Sequence, residues 1–102
     1  MRPVLAVVLF WLAAFPSLAG EIVIETVASN VLGRDYQVAL YLPDGYKEST
    51  QRYPTLPLLH GAGGNERDWV DKGSVLLTMD AMVKRRLIHP MVVVMPGNGS
   101  NW

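Results

Sequence analysis

The chain has 102 residues, of which half are hydrophobic, and its 9 basic and 9 acidic side chains leave no formal net charge. This balance gives no indication of nucleic acid or an anionic membrane as a partner. The sequence contains no cysteine, which excludes disulfides, lipidation of a cysteine and thiolate chemistry.

The amino terminus has the three-part pattern of a secretory signal peptide. Met1-Arg2 is positively charged and Val4–Phe15 is an uninterrupted apolar stretch. Ser17 and Ala19 then supply small residues at positions −3 and −1 of a cleavage site before Gly20. A retained membrane anchor is the alternative, although the apolar stretch is short against the ~20 residues that span a bilayer.

We therefore expect residues 1–19 to be a signal peptide and residues 20–102 to be the mature chain. The mature chain would be secreted or periplasmic, without stable membrane insertion after cleavage. A secreted domain of this size usually needs disulfides or a structural metal, and this sequence has no cysteine. The domain is therefore expected to be incomplete.

Two strands open the mature chain. Glu21–Glu25 alternates apolar and acidic residues, which predicts a half-exposed strand. Asn30–Gly33 has turn composition, and the period-two pattern of Arg34–Leu42 predicts a second strand, antiparallel to the first. Pro43-Asp44-Gly45 ends it with strong turn chemistry.

Pro54–His60 predicts a third strand, and its almost entirely apolar composition suits burial on both faces. Pro57 is awkward in the middle of this strand, because proline cannot donate to a ladder of hydrogen bonds. We expect an irregularity at that residue.

A helix is predicted next, with Asp71 or Ser74 as its amino-terminal cap and its end near Leu87. Its apolar side chains recur at helical spacing and form one stripe. They are Leu76, Met79, Val83 and Leu87.

Met91–Met95 is a continuous apolar run that predicts a buried strand, followed by a loop from Pro96. The order of strand, helix and strand at the end predicts a parallel, right-handed β-α-β unit. The fold class is therefore α/β, with a mixed sheet in which an antiparallel hairpin leads into parallel strands.

The third strand ends in the segment Leu58–Gly64, where an apolar run meets His60 and a glycine-rich loop. Such a loop presents backbone N–H groups rather than side chains, as an oxyanion hole requires for acyl transfer. A plain flexible turn is the alternative, while Gly61–Asn65 matches neither glycine-rich phosphate-binding pattern.

His60 could act as a catalytic base, a metal ligand or a structural residue. No second histidine lies near it at metal-ligand spacing, and in hydrolases with this loop the catalytic histidine follows the serine in the chain. We therefore favour a structural role, in which the ring hydrogen-bonds the loop backbone. No metal and no cofactor is expected.

No serine in the sequence has the surroundings of a catalytic nucleophile. A nucleophile elbow requires Gly-x-Ser-x-Gly between a strand and a helix. Ser74 has Lys72 and Leu76 at the flanking positions, and Ser100 has Asn98 and Trp102. The chain thus carries the loop of an active site without the nucleophile that such a loop serves.

Several short motifs follow one another in a set order. They are Tyr41–Tyr46, Tyr53-Pro54, Leu58–Asn65, Asp68-Trp69 and Met91–Pro96. Together they resemble the amino-terminal half of the "Putative esterase" family, an α/β-hydrolase group that includes esterase D, feruloyl and acetyl-xylan esterases, enterochelin esterases and mycobacterial mycolyltransferases. The resemblance covers the whole mature chain.

The resemblance implies a serine hydrolase that acts on a small-molecule or carbohydrate ester. It places the oxyanion-hole donors at the backbone of Ala62 and Gly63, with His60, Gly61 and Gly64 as the scaffold of the loop. Asn98 and Trp102, in the loop after the last strand, would line the substrate cleft. Trp69 would pack under the oxyanion loop or border the cleft, and packing in the core is favoured.

In the family, the nucleophile, the acid and the histidine of the triad would all follow residue 102. The resemblance therefore implies a truncated α/β-hydrolase domain that is inactive by itself. The alternative is that the chain is a non-catalytic, exported carbohydrate- or ester-binding module. Neither the ester nor the oligomeric state can be deduced from the sequence.

Overall fold

The structure is a computed structural model that describes residues 19–98. The described chain forms one mixed sheet of four strands in the order β1-β2-β4-β3, together with two helices. The elements are β1 (Glu21–Ser29), β2 (Arg34–Leu42), β3 (Thr55–Pro57), α1 (Asp68–Asp71), α2 (Val75–Lys84) and β4 (Val92–Pro96). The predicted α/β class is confirmed.

The predicted hairpin is present, and β2 has the predicted bounds. β1 pairs with it antiparallel from Glu21 opposite Leu42 to Ser29 opposite Arg34, so β1 runs four residues beyond the predicted end. The turn is closed by the Gly33 N–H, which donates to the Ser29 carbonyl at 3.0 Å.

β4 lies between β2 and β3 and forms the buried centre of the sheet. It pairs antiparallel with β2 and parallel with β3, as the predicted β-α-β unit requires. Val93 and Met95 are almost completely buried, which confirms the expected buried strand with its bounds shifted by one residue.

The third strand differs from its prediction. It has three residues, Thr55–Pro57, and all three are exposed. Burial on both faces is therefore wrong, and among the described residues this strand lies at an edge of the sheet. The apolar composition of Pro54–His60 favours burial, but composition does not reveal which neighbouring element would bury the strand.

Pro57 ends this strand without interrupting its ladder. The next residue, Leu58, donates its N–H to the Val94 carbonyl at 2.9 Å. Successive N–H groups of a strand point in opposite directions, so the donor that proline lacks would lie on the open side. Proline on an edge strand is tolerated for this reason.

α2 is shorter than predicted. It ends at Lys84, and Leu87 is 65% exposed, so Leu87 does not belong to the apolar stripe. Ser74 does hold the N-cap position, but it has left-handed backbone (φ 52°) and makes no side-chain capping hydrogen bond. The short helix α1 was not predicted.

The main core lies where α2 covers one face of β2 and β4. Ala39 lies opposite Met95 and Tyr41 opposite Val93 in the register, so these side chains share a face. They pack with Val75 and Met79 of α2. Within residues 19–98, no helix is both long enough and apolar enough to span a membrane.

Candidate active site

The glycine-rich loop follows β3 and lies at the same edge of the sheet as the end of β4, because the two strands are parallel. Open α/β sheets bind ligands at the carboxyl ends of their strands. Glu66, shortly after the loop, reaches this edge: a Cβ atom on Gly97 would lie 3.1 Å from its Oε2 atom. The segment that follows the loop therefore returns to the end of β4.

The loop contains a tight turn over residues 61–64. The Gly64 N–H donates to the Gly61 carbonyl at 3.0 Å, and Gly63 has a φ of +76°. A type II turn requires positive φ at its third residue, where glycine is preferred. Ala62 is then the second residue, and the conformation of Gly63 sets the direction of the peptide groups on either side.

The turn leaves two backbone donors available. The Gly64 N–H is used within the turn, whereas the N–H groups of Ala62 and Gly63 donate no hydrogen bond to any residue in the described range 19–98. Both residues are exposed. Adjacent backbone donors in an exposed, fixed turn can bind an anion or a developing oxyanion.

His60 contacts the backbone of this loop. Its Nδ1 atom lies 2.6 Å from the Gly61 carbonyl oxygen, which identifies Nδ1–H as the donor, since a carbonyl can only accept. The residue as a whole is half-buried. This contact is of the kind expected for a histidine that holds the shape of the loop.

Trp69, on α1, anchors the start of the loop. Its indole N–H donates to the Leu59 carbonyl at 3.0 Å. The side chain remains 38% exposed and lies outside the buried core, so the favoured packing in the core is wrong. The backbone of Gly73 closely approaches the ring, since a Cβ atom there would be 2.9 Å from Trp69 Cε3.

A shallow cavity of about 250 Å³ adjoins the loop. It is lined by His60, Gly61, Asp68, Trp69, Lys72 and Gly73. Two larger cavities, of about 340 and 710 Å³, lie beside the start of β1 rather than beside the loop. In the part of the chain that the structure describes, no cluster of three metal-ligating side chains occurs.

The second predicted cleft segment is described only in part. The carbonyl of Asn98 accepts a hydrogen bond from Arg34 Nη2 at 2.8 Å, which ties the end of β4 to the start of β2. Trp102 lies outside the described residues.

Sequence reasoning missed two acidic residues that pack against glycines at this edge. Asp68 occupies the space where a side chain on Gly64 would lie, and Glu66 does the same at Gly97. Their spacing from the glycines carries no pattern that would have revealed these contacts.

Comparisons with known proteins agree with the motifs. The family model described as "Putative esterase" matches residues 29–102, more than half of the chain. A curated protein of Xylanibacter ruminicola, named endo-1,4-beta-xylanase/feruloyl esterase, is 39% identical over 80 residues. The match covers 74% of this chain and 11% of that protein.

Solved structures with the same fold include a ferulic acid esterase, 29% identical with a TM-score of 0.78, over 83% of this chain and 33% of that one. The feruloyl esterase module from Clostridium thermocellum, complexed with sinapinate, is 30% identical with a TM-score of 0.72. That match covers 84% of this chain and 30% of the module. The chain therefore spans about a third of the solved relatives, and it belongs to the "Putative esterase" family of α/β-hydrolases.

Proposed function

We propose that this chain supplies the oxyanion-hole loop of an exported serine esterase that acts on hydroxycinnamate esters. The observation that carries the proposal is a pair of backbone N–H groups, at the exposed residues Ala62 and Gly63, that donate no hydrogen bond within the described residues 19–98. They lie on a turn fixed by the hydrogen bond from Gly64 to Gly61, in a chain of an esterase family.

The chemistry requires donors at this position. When a serine attacks an ester carbonyl, the carbonyl oxygen becomes an oxyanion, and N–H groups fixed in place stabilise that charge in the transition state. His60 and the glycines at positions 61 and 64 hold the turn in shape. Asn98 and Trp102 border the cleft that receives the ester.

The remaining catalytic groups come from elsewhere. None of the serines in the 102 residues lies in Gly-x-Ser-x-Gly, so polypeptide outside this sequence supplies the nucleophile, the acid and the catalytic histidine. The 102-residue chain is then inactive alone. Residues 1–19 act as a signal peptide, and residues 20–102 belong to a secreted or periplasmic esterase domain.

The substrate class is inferred from the relatives. A curated relative and two solved ones carry feruloyl or ferulic acid esterase in their names, and one of these is complexed with sinapinate. These names share an aromatic hydroxycinnamoyl group as the acyl part. We therefore expect methyl ferulate to be hydrolysed faster than methyl acetate.

The test transfers the loop into an enzyme that has a nucleophile. Residues 58–66 replace the matching loop of the ferulic acid esterase relative, and methyl ferulate hydrolysis is measured. Ala62→Pro in this graft keeps the turn, because proline suits the second position of a type II turn, but it removes one N–H. We expect kcat to fall by about 10²–10³.

Ala62→Ser is the matched control, because it keeps the N–H and should leave kcat nearly unchanged. A folded graft without activity would contradict the proposal, and so would an Ala62→Pro graft with full kcat. If the 102-residue chain binds feruloyl-oligosaccharides tightly while the graft is inactive, the non-catalytic binding module is the better description.

A further inference from the structure

Asp80, in the middle of α2, accepts two hydrogen bonds through the same oxygen. The Tyr41 hydroxyl donates to Oδ1 at 2.7 Å, and the backbone nitrogen of Gly20 donates to it at 3.1 Å. Tyr41 is almost completely buried. The contact therefore joins the residue just before β1 to the core and to a helix that lies 60 residues further along the chain.

Position 20 accepts no side chain. A Cβ atom there would lie 2.7 Å from both the Leu42 carbonyl oxygen and Tyr41 Cε1, and 2.8 Å from Asp80 Oδ1. Gly20 is half-buried, whereas the preceding residue, Ala19, is exposed. The fold thus fixes the nitrogen of residue 20 against a carboxylate, directly after an accessible residue.

Gly20 is also the residue that would follow the cleavage site of the signal peptide. We propose that the Ala19–Gly20 bond is a processing site and that the new terminal ammonium of Gly20 forms an ion pair with Asp80. This inference rests on the export that is part of the proposed function, and it does not depend on the esterase chemistry.

Processing is the hydrolysis of one peptide bond by a host signal peptidase. Water adds to the Ala19 carbonyl, the C–N bond breaks, Ala19 leaves as a carboxylate and Gly20 gains an amine. This amine is mostly protonated at neutral pH, because its ordinary pKa is about 7.7–8.0. A neutral amide donor becomes a cationic donor at the same carboxylate, and charge-assisted hydrogen bonds are the stronger kind.

The surroundings of the pair are mixed in charge. The adjoining cavity of about 710 Å³ is lined by Asp44, Lys84 and Arg86 as well as by Asp80 and Tyr41. Burial, followed by the hydrogen bond to Asp80, raises the pKa of the Tyr41 phenol. Tyr41 therefore stays neutral and donates to Asp80, so it adds no negative charge to the site.

The first measurement is the amino terminus of the full chain exported from a bacterial host. Intact mass and terminal sequencing should show a chain that begins at Gly20. Ala19→Leu, which places a large residue at position −1, is the control that should remain uncleaved. A mature protein that begins at any other residue would overturn the inference.

The second measurement is the rate at which an N-hydroxysuccinimide ester acetylates the terminal amine of the processed protein at pH 7. A neighbouring carboxylate stabilises the ammonium, and one unit of raised pKa lowers the reactive fraction about tenfold. Asp80→Asn should therefore react about tenfold faster. Glu21→Gln is the matched control: it removes an adjacent carboxylate, which pairs with Lys47 at 3.0 Å, and should change the rate less than about twofold.

A second variant keeps the test decisive if Asp80→Asn fails to fold. An extra glycine inserted between Ala19 and Gly20 leaves the amide of Gly20 on Asp80 and moves the amine one residue away. Its acetylation should be about tenfold faster than that of the parent. Equal rates in the parent and in both variants would overturn the ion pair. If the loop graft is inactive but the mature protein begins at Gly20, only the esterase proposal is contradicted.

Discussion

The indole N–H of Trp69 donates a hydrogen bond to the carbonyl oxygen of Leu59 at a distance of 3.0 Å. The two residues lie on opposite sides of the glycine-rich loop, one on α1 and the other just after β3. This hydrogen bond therefore links the two ends of the loop. The loop is short and exposed, so its shape depends on a few contacts of this kind.

Trp69→Phe should destabilise the chain by about 1 kcal/mol or more, because the Leu59 carbonyl loses its donor and a single phenyl ring replaces the larger indole. For a domain of this size, that corresponds to a fall in Tm of about 4–8 °C. The measurement is thermal unfolding followed by circular dichroism. Leu77→Ala is the control, since this side chain is 74% exposed and its loss should change stability by less than about 0.5 kcal/mol. Equal effects of the two substitutions would disprove a role for the indole N–H.

Two glycines of the loop should respond differently to alanine. Gly63 has positive φ, and a non-glycine residue in this conformation costs about 1–2 kcal/mol. Gly61 has no positive φ and no heavy atom within 4 Å of an added Cβ. Its replacement should be neutral or stabilising, by up to about 1 kcal/mol.

Urea unfolding of Gly63→Ala and Gly61→Ala measures this difference. Gly63→Asn should lie between the parent and Gly63→Ala, because asparagine tolerates left-handed backbone better than alanine. If Gly63→Ala were as stable as Gly61→Ala, the turn over residues 61–64 would not have the described conformation.

The bounds of β2 were predictable because Arg34–Leu42 alternates with period two between two stretches of turn residues. The burial of the strand was not predictable in the same way, because Ala39 and Tyr41 on its other face are its most buried residues. The central position of β4 was likewise indicated by the continuous apolar run of Met91–Met95. These elements depend on neighbours that lie within the described residues.

The third strand and the end of the helix were predicted wrongly, because both depend on more than the composition and spacing of neighbouring residues. The apolar run Pro54–His60 has the composition of a buried strand, yet the strand is three residues long and exposed. Leu87 has the spacing of the helical stripe, but the helix ends before it, and Arg86 has left-handed backbone with a φ of 60°. The sequence contains no pattern that predicts the exposure of β3 or the left-handed backbone at Arg86.

Some features of the candidate site could likewise be predicted from the sequence, and others could not. The position of the loop after a strand follows from the sequence, because an apolar run that meets several glycines has few other structures. The direction of each N–H group depends on the φ of Gly63, and the partner of the Trp69 indole depends on how α1 packs. Those two features follow only from the three-dimensional structure.

The neighbouring residues Pro57 and Leu58 should differ in their importance to the sheet. The Leu58 N–H donates to Val94 at 2.9 Å, whereas the donor that Pro57 lacks would lie on the open side of β3. Leu58→Pro should cost about 1 kcal/mol more than Leu58→Ala, which removes the packing of the side chain but keeps the N–H. Pro57→Ala should change stability by less than about 0.5 kcal/mol. Urea midpoints of the three variants provide the test, and a large loss in Pro57→Ala would contradict the assigned register.

Tyr41 should make stability depend on alkaline pH. Burial and the hydrogen bond to Asp80 raise the pKa of the phenol in the folded chain, whereas in the unfolded chain its pKa is about 10. Above that pH the unfolded chain releases the proton first, so the free energy of unfolding falls as pH rises towards the folded pKa. The slope from this one group is at most about 1.4 kcal/mol per pH unit. Denaturant unfolding between pH 8 and pH 11 should show a decline that is shallower in Tyr41→Phe. Parallel curves for the two proteins would mean that Tyr41 is not held neutral by its surroundings.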